Sequence, residues 1–207
     1  VLASCSKQET KTDNPLLQKW DTPFETAPFE KIKVEHYLPA FEAAIAEHNK
    51  EIQAIIDNAE APNFDNTIAA LDYAGETLSK VAGVFFNMMA ANTSEELQKV
   101  NEKVGPMMAT HSDNVSMNAK LFEKIKAVYD AKDSQKYTGE QLALLEKTYN
   151  KFVRSGALLD AAKQEELRKV NAELTKVEAK FDANLLKETK AYQLVVEKEE
   201  DLKGLPC

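Results

Sequence analysis

The chain should fold as an all-α protein, an antiparallel arrangement of helical hairpins, and three features say so. Apolar residues recur at steps of three and four over most of the length, which is the spacing of one helix face. Glycine and proline are scarce, six and seven among 207 residues, and most prolines fall within the first 62 positions, leaving a long remainder free to be helical. No period-two alternation of useful length occurs before residues 191–196, where Tyr192-Gln193-Leu194-Val195-Val196 is a candidate strand. The expectation is at least five helices and under about a tenth of residues in strand.

The elements follow in order. Residues 14–33 should be irregular, because Pro15, Pro23 and Pro28 each push the preceding residue out of the helical region. Trp20, Phe24 and Phe29 are the apolar hooks that would tie this strap to the body. Val34, Tyr37, Leu38, Phe41, Ile45, Ile52 and Ile55 then mark an amphipathic helix ending near Asn58, with Pro39 early enough to be tolerated, at the cost of a kink in the first turn. Asp65 or Asn66 should cap a second helix with a stripe through Ile68, Leu71, Leu78, Val81 and Phe85. Ser94 opens a third, which Gly105-Pro106 should interrupt. Met88-Met89 and Met107-Met108 read as core filler before they read as a soft-metal or peptide surface.

A short helix through Leu121, Ile125 and Val128 should end by Lys132. Thr138 leads into a helix with Leu142, Leu145, Tyr149 and Phe152, closed by Gly156 in a left-handed cap. Asp160 opens a long helix whose Leu167, Val170, Leu174, Val177 and Phe181 alternate steps of three and four, a coiled-coil seam expected to bury itself against the preceding helix. Charges on its far face, such as Glu165, Lys169, Glu173 and Lys176, read as solvated surface.

Composition narrows function by exclusion. At 43% hydrophobic and 29% charged, the chain is ordinary globular material of one or two domains. A formal charge of −8 argues against nucleic acid, which requires a basic face. No run of about 18 apolar residues exists to span a bilayer. The two cysteines, Cys5 and Cys207, stand at opposite ends and offer no disulfide framework. Val1-Leu2-Ala3-Ser4-Cys5 resembles a bacterial lipobox, and the polar run Ser6 to Asp13 resembles the tether that follows one. The expected organisation is therefore a signal remnant and flexible tether over 1–13, with lipidation at Cys5, and a helical region over 14–207. A lipid on Cys5 is then the one expected link to a membrane. It implies the bacterial cell envelope, the alternative being the cytoplasm.

No Gly-rich phosphate loop, G-x-S-x-G elbow or C-x-x-C pair is present. Adjacent carboxylates such as Glu95-Glu96, Glu165-Glu166 and Glu199-Glu200 point about 100° apart on a helix and do not converge as acid and base. The three histidines are His36, His48 and His111, and no two are four residues apart. His36 reads as a cap or packing residue at a helix start. His48 falls one turn below an apolar stripe, and His111 sits in a polar stretch. On an intact helix His36 and His48 are about 18 Å apart, so His111 can approach only one of them. The catalytic and metal assignments for this chain are accordingly none.

Trp20, Thr22-Pro23-Phe24, Pro28-Phe29, Ile32, His36-Tyr37, Pro39-Ala40-Phe41, Phe64-Asp65-Asn66-Thr67-Ile68 and Gly83-Val84-Phe85-Phe86-Asn87, with a continuation to Leu202-Gly204-Leu205-Pro206, carry a resemblance over nearly the whole chain. The sequence resembles the N-terminal region of the thimet oligopeptidase family of zinc metallopeptidases, and within it the bacterial peptidyl-dipeptidase and oligopeptidase A branch. The resemblance implies a helical wall of a channel that admits short, unfolded peptides, with zinc bound elsewhere through H-E-x-x-H on a helix. That motif is absent here, so the chain is expected to be the N-terminal part of a peptidase, without the C-terminal catalytic domain and inactive alone. Family membership implies oligopeptide hydrolysis, with release of C-terminal dipeptides if the peptidyl-dipeptidase branch applies. A stand-alone lipid-anchored helical binding module is the alternative.

Overall fold

The computed structural model describes residues 13–198 and 202–204. Among them every regular element is helical: α1 (Val34–Asp57), a π-helical turn (Phe64–Ala69) running into α2 (Ala70–Tyr73), α3 (Glu76–Ala91), α4 (Glu95–Ser116), α5 (Ala119–Asp130), α6 (Gly139–Arg154) and α7 (Ala161–Ala191). The all-α expectation holds. Residues 192–196, the candidate strand, instead leave α7 as exposed extended chain without a strand partner.

Local chemistry sets most of the boundaries. Ser94, Asn118, Thr138 and Asp160 each accept a backbone N–H three residues on, the side-chain cap that satisfies an orphan donor of the first turn. Gly156, at φ 95°, ends α6 as expected. The cap before the π turn differs from the expectation. Asn63, not Asp65 or Asn66, accepts the Asn66 N–H at 2.9 Å, and the Asn66 side chain returns the bond to the Asn63 N–H at 2.9 Å. Asn66 thus works from the third helical position.

Two further boundaries move. The stripe from Ile68 to Phe85 is split at Gly75, whose φ of 80° no continuous helix accommodates. Gly105-Pro106, by contrast, interrupts nothing, and α4 runs on through both. The missing proline N–H costs about 3 kcal/mol. Burial of Leu97 and Val104 before it and His111 after it holds the helix together. Pro39 likewise sits inside an unbroken α1.

Helix α1 is the axis of the molecule, with a different core at each end. Its first half gives Tyr37, Ala40, Phe41 and Ala44 to a core completed by Leu16, by Val81 and Phe85 of α3, and by Leu97 and Val104 of α4. The four methionines of α3 and α4 pack around this cluster as filler. The second half gives Ile52 and Ile55 to another core with Ile68, Leu121, Ile125, Val128, Leu145 and Phe152. Phe85 makes edge-on contacts with Tyr37 and Phe41 at centroid distances of 5.0 and 5.4 Å.

The lead-in is tied down by polar bonds as much as by rings. Asn14 donates to the His36 carbonyl at 2.8 Å and accepts from the Leu16 N–H, and Leu16 is fully buried. The Trp20 indole donates to the Pro15 carbonyl, with the Lys80 ammonium 3.9 Å from its ring centre. Trp20 is a hook, as expected. Phe24 and Phe29 are not: they are 99% and 52% exposed. Phe24 sits at φ 59°, inside a tight turn that aims its ring outward.

The largest departure is α7. Its seam was expected against α6, yet α7 lies on α4. The contact is polar, with Asn171 donating to Asp113 at 2.7 Å and Arg168 to Asn114 at 2.9 Å. Helix α6 has already spent its apolar face on α5 in the second core. Leu174 is therefore 51% exposed, and Val170, Val177 and Phe181 are more so.

Candidate functional site

Between the two cores, α1 carries a polar step. His48 and Glu51 lie one turn apart on the same side of the helix. Helix α4 brings buried His111 across to them, so that His111 Nε2 and His48 Nδ1 stand 2.9 Å apart, one nitrogen donating to the other. The two rings meet edge to face at 4.9 Å. The α2–α3 junction closes the third side, where the Gly75 N–H donates to Glu51 Oε2 at 2.7 Å and Thr77 donates to Glu47 at 3.2 Å. A β-carbon on Gly75 would lie 3.1 Å from the His48 ring, so glycine is what lets the chain cross over the imidazole.

Burial holds both imidazoles below the usual histidine value. At His48 the Glu51 carboxylate opposes that lowering and Lys151 adds to it. At His111 the neighbouring His48 adds to it. Two neutral rings can share one proton between facing nitrogens, and charging both would set like charges in contact. Open clefts flank this knot. One, of about 350 Å³, is lined by Ile45, Asn49, Pro106, Met107, Thr110 and His111. The other, of about 390 Å³, is lined by Glu51, Ala54, Asn58, Asn66 and Tyr73 among others.

The sequence placed His36 correctly: its Nδ1 accepts the Lys33 N–H at 3.0 Å at the start of α1. His111, read as lying in a polar stretch, is instead buried against His48, a pairing across 63 residues that no local pattern announces. Cys5 and Cys207 lie outside the described residues. A hydrolytic zinc requires three converging protein ligands, and among the described residues no three His, Cys, Asp or Glu side chains converge. Glu51, whose charge acts on His48, is already committed to Gly75. The donor set of these residues does not fit such an ion.

Residues 41–164, from the first core through both clefts to the start of α7, match the family model for the neurolysin/thimet oligopeptidase N-terminal domain. The chain belongs to that family. Its similarity to dipeptidyl carboxypeptidase of Salmonella typhimurium is 35% identity over 93% of this chain and 28% of that protein. The Escherichia coli dipeptidyl carboxypeptidase is 34% identical over 94% of this chain and 28% of its own length. Oligopeptidase A of Escherichia coli is 25% identical over 93% of the chain, again 28% of that protein. The chain thus spans little more than a quarter of the length of these family members. Its His48–His111 knot and both clefts fall inside the part that defines the N-terminal domain.

Proposed function

We propose that this chain is the N-terminal helical part of a zinc metallopeptidase that hydrolyses oligopeptides, of the kind that releases dipeptides from the C-terminus. Its helices form one wall of a channel admitting short, unfolded peptides, and the zinc and its water-activating carboxylate belong to a catalytic domain outside these 207 residues. The observation that carries the reading is the gradient of identity. Two dipeptidyl carboxypeptidases reach 34–35% over nearly all of the chain, whereas bacterial oligopeptidases A reach 23–26% over the same span. The chain's own contribution is steric and positional: it offers clefts and a rigid wall, not a reacting group.

The test is a chimera in which residues 14–198 replace the matching region of the Salmonella typhimurium protein. Chelator-sensitive release of dipeptides from an N-blocked tetrapeptide is expected, with no such activity from the 207-residue chain alone. A soluble, folded chimera that leaves the peptide intact overturns the reading.

The same proposal extends to location. The Val1-Leu2-Ala3-Ser4-Cys5 pattern and the polar run behind it support a diacylated Cys5 and an envelope-anchored protein. Expressed in a bacterium behind a complete signal peptide, the protein should partition with membranes and Cys5→Ala should release it, since each buried CH₂ contributes about 0.8 kcal/mol. Unchanged partitioning of the variant refutes lipidation.

A further inference from the structure

Helix α7 carries an apolar stripe that nothing among the described residues covers. Val170, Leu174, Val177, Phe181 and Leu185 are each between 51% and 63% exposed, and they follow one another at steps of four, three, four and four. The stripe is about 22 Å long at 1.5 Å per residue. Directly after α7, Tyr192, Leu194, Val195 and Val196 are themselves 42–77% exposed. Helix α4 holds α7 through polar bonds to Arg168 and Asn171 and through the Thr175 methyl beside Gly105. The helix is therefore anchored with its apolar side outward. Glu165 and Lys169 stand on the side of α7 turned away from the stripe, as on an ordinary amphipathic helix.

We propose that this face is the docking surface for the polypeptide that the longer family members carry beyond their N-terminal domain. The inference rests on the family reading above. Two observations select this occupant. The first is length: the chain matches an N-terminal domain over residues 41–164, and its whole aligned span covers only 28% of the dipeptidyl carboxypeptidases, which leaves a large remainder to pack against it. The second is area. Its five side chains offer roughly 500 Å² of apolar surface, within the ~300–600 Å² of the largest monomer patches, which are often functional, yet short of the ~800 Å² each partner contributes to a stable free-standing complex. A covalently tethered partner needs no such area, because tethering supplies a high effective concentration. A second copy of the chain would need the larger area. The occupant is accordingly a helical or extended segment with a complementary apolar stripe, supplied by the remainder of a family member.

The experiment reads solvent access at the stripe. Cys5→Ser and Cys207→Ser remove the native thiols, Val177→Cys places one on the stripe, and Glu165→Cys places one on the opposite side as a control. Maleimide labelling is compared between the 207-residue chain and the chimera described above. Val177→Cys should label at least about tenfold more slowly in the chimera, and Glu165→Cys equally in both. A chimera that cleaves peptides while Val177→Cys labels at the free rate overturns the docking surface and leaves the peptidase reading standing. An inactive chimera with Val177→Cys protected supports docking and removes the peptidase reading. Concentration-dependent protection in the 207-residue chain alone means self-association and overturns the proposal. Should that chimera aggregate, the same two thiols are read in a chimera built on the Escherichia coli dipeptidyl carboxypeptidase. Tenfold protection of Val177→Cys there supports the surface, and labelling at the free rate overturns it.

Discussion

Phe85→Ala and Phe181→Ala remove the same ring from two positions that the sequence makes look alike, since both residues sit on apolar stripes of long helices. The structure separates them sharply. Phe85 is fully buried, with ring centroids of Tyr37, Phe86 and Phe41 at 5.0, 5.3 and 5.4 Å, whereas Phe181 is 63% exposed. Truncating a buried phenylalanine costs about 3–5 kcal/mol through lost transfer energy and the cavity left behind. Loss of edge-to-face partners, about 0.5–1.5 kcal/mol for each pair, puts Phe85→Ala at the top of that range. Phe85→Leu keeps most of the volume and forfeits the ring contacts, so about 1–2 kcal/mol is expected. Phe181→Ala should stay within about 0.5 kcal/mol. Urea unfolding of the 207-residue chain, followed by helical circular dichroism, gives the differences from midpoints at constant slope. With a slope of about 2 kcal/mol per molar, Phe85→Ala moves the midpoint by about 2 M and Phe181→Ala by almost nothing. Equal shifts for the two alanine variants would refute the assignment of core and free face.

Stability should fall as pH drops from 7.5 to 5.5. Burial depresses both His48 and His111 in the folded state, so the unfolded chain takes up protons that the folded chain refuses, from about pH 6.5 downward. Each histidine contributes at most about 1.4 kcal/mol per pH unit, and solvent access at His48 and the opposing Glu51 charge keep the sum below that ceiling. Urea midpoints at the two pH values should converge in the double variant His48→Gln with His111→Gln; an undiminished slope there would remove the pair as its source. Gly75→Ala should destabilise by about 1–3 kcal/mol, because φ is 80° and the new methyl meets the His48 ring, and a stabilised variant in the same assay would contradict the crossing geometry.

Local signals were legible and distant ones were not. Ser94, Thr138, Asp160 and Gly156 act where the sequence puts them because a cap needs only the residue and the few backbone groups beside it. His36 was readable for the same reason, bonding three residues back. The His48–His111 pair was not, since it depends on how α1 and α4 lie side by side, and each histidine alone looks like any half-polar helix position. The α7 seam marks the boundary between the two cases. Periodicity states that a stripe exists, and it states nothing about which helix covers it. Helix α6 was adjacent in sequence, but its face was already occupied by α5, and α7 settled on α4 through asparagine and arginine.

The polar layer has a physical consequence for the domain as a whole. Apolar cores are tolerant of small slides, because a methyl finds similar neighbours after a displacement of a fraction of an ångström, whereas hydrogen bonds to fixed donors are directional. In this domain the two apolar clusters lie at opposite ends of α1, and the His48–His111 and Glu51–Gly75 bonds fasten the middle of that helix to α4 and to the α2–α3 junction. The buried stripe with Ala40, Phe41 and Ala44 already fixes which face of α1 turns inward, and the His48–His111 bond adds a directional lock to α4. Asn171–Asp113 and Arg168–Asn114 set the register of α7 on α4 by the same kind of bond. The clefts and the outward stripe of α7 are thereby held in a fixed relation by four directional contacts at and around α4. The role proposed above, shaping a channel for peptides, rests on that relation.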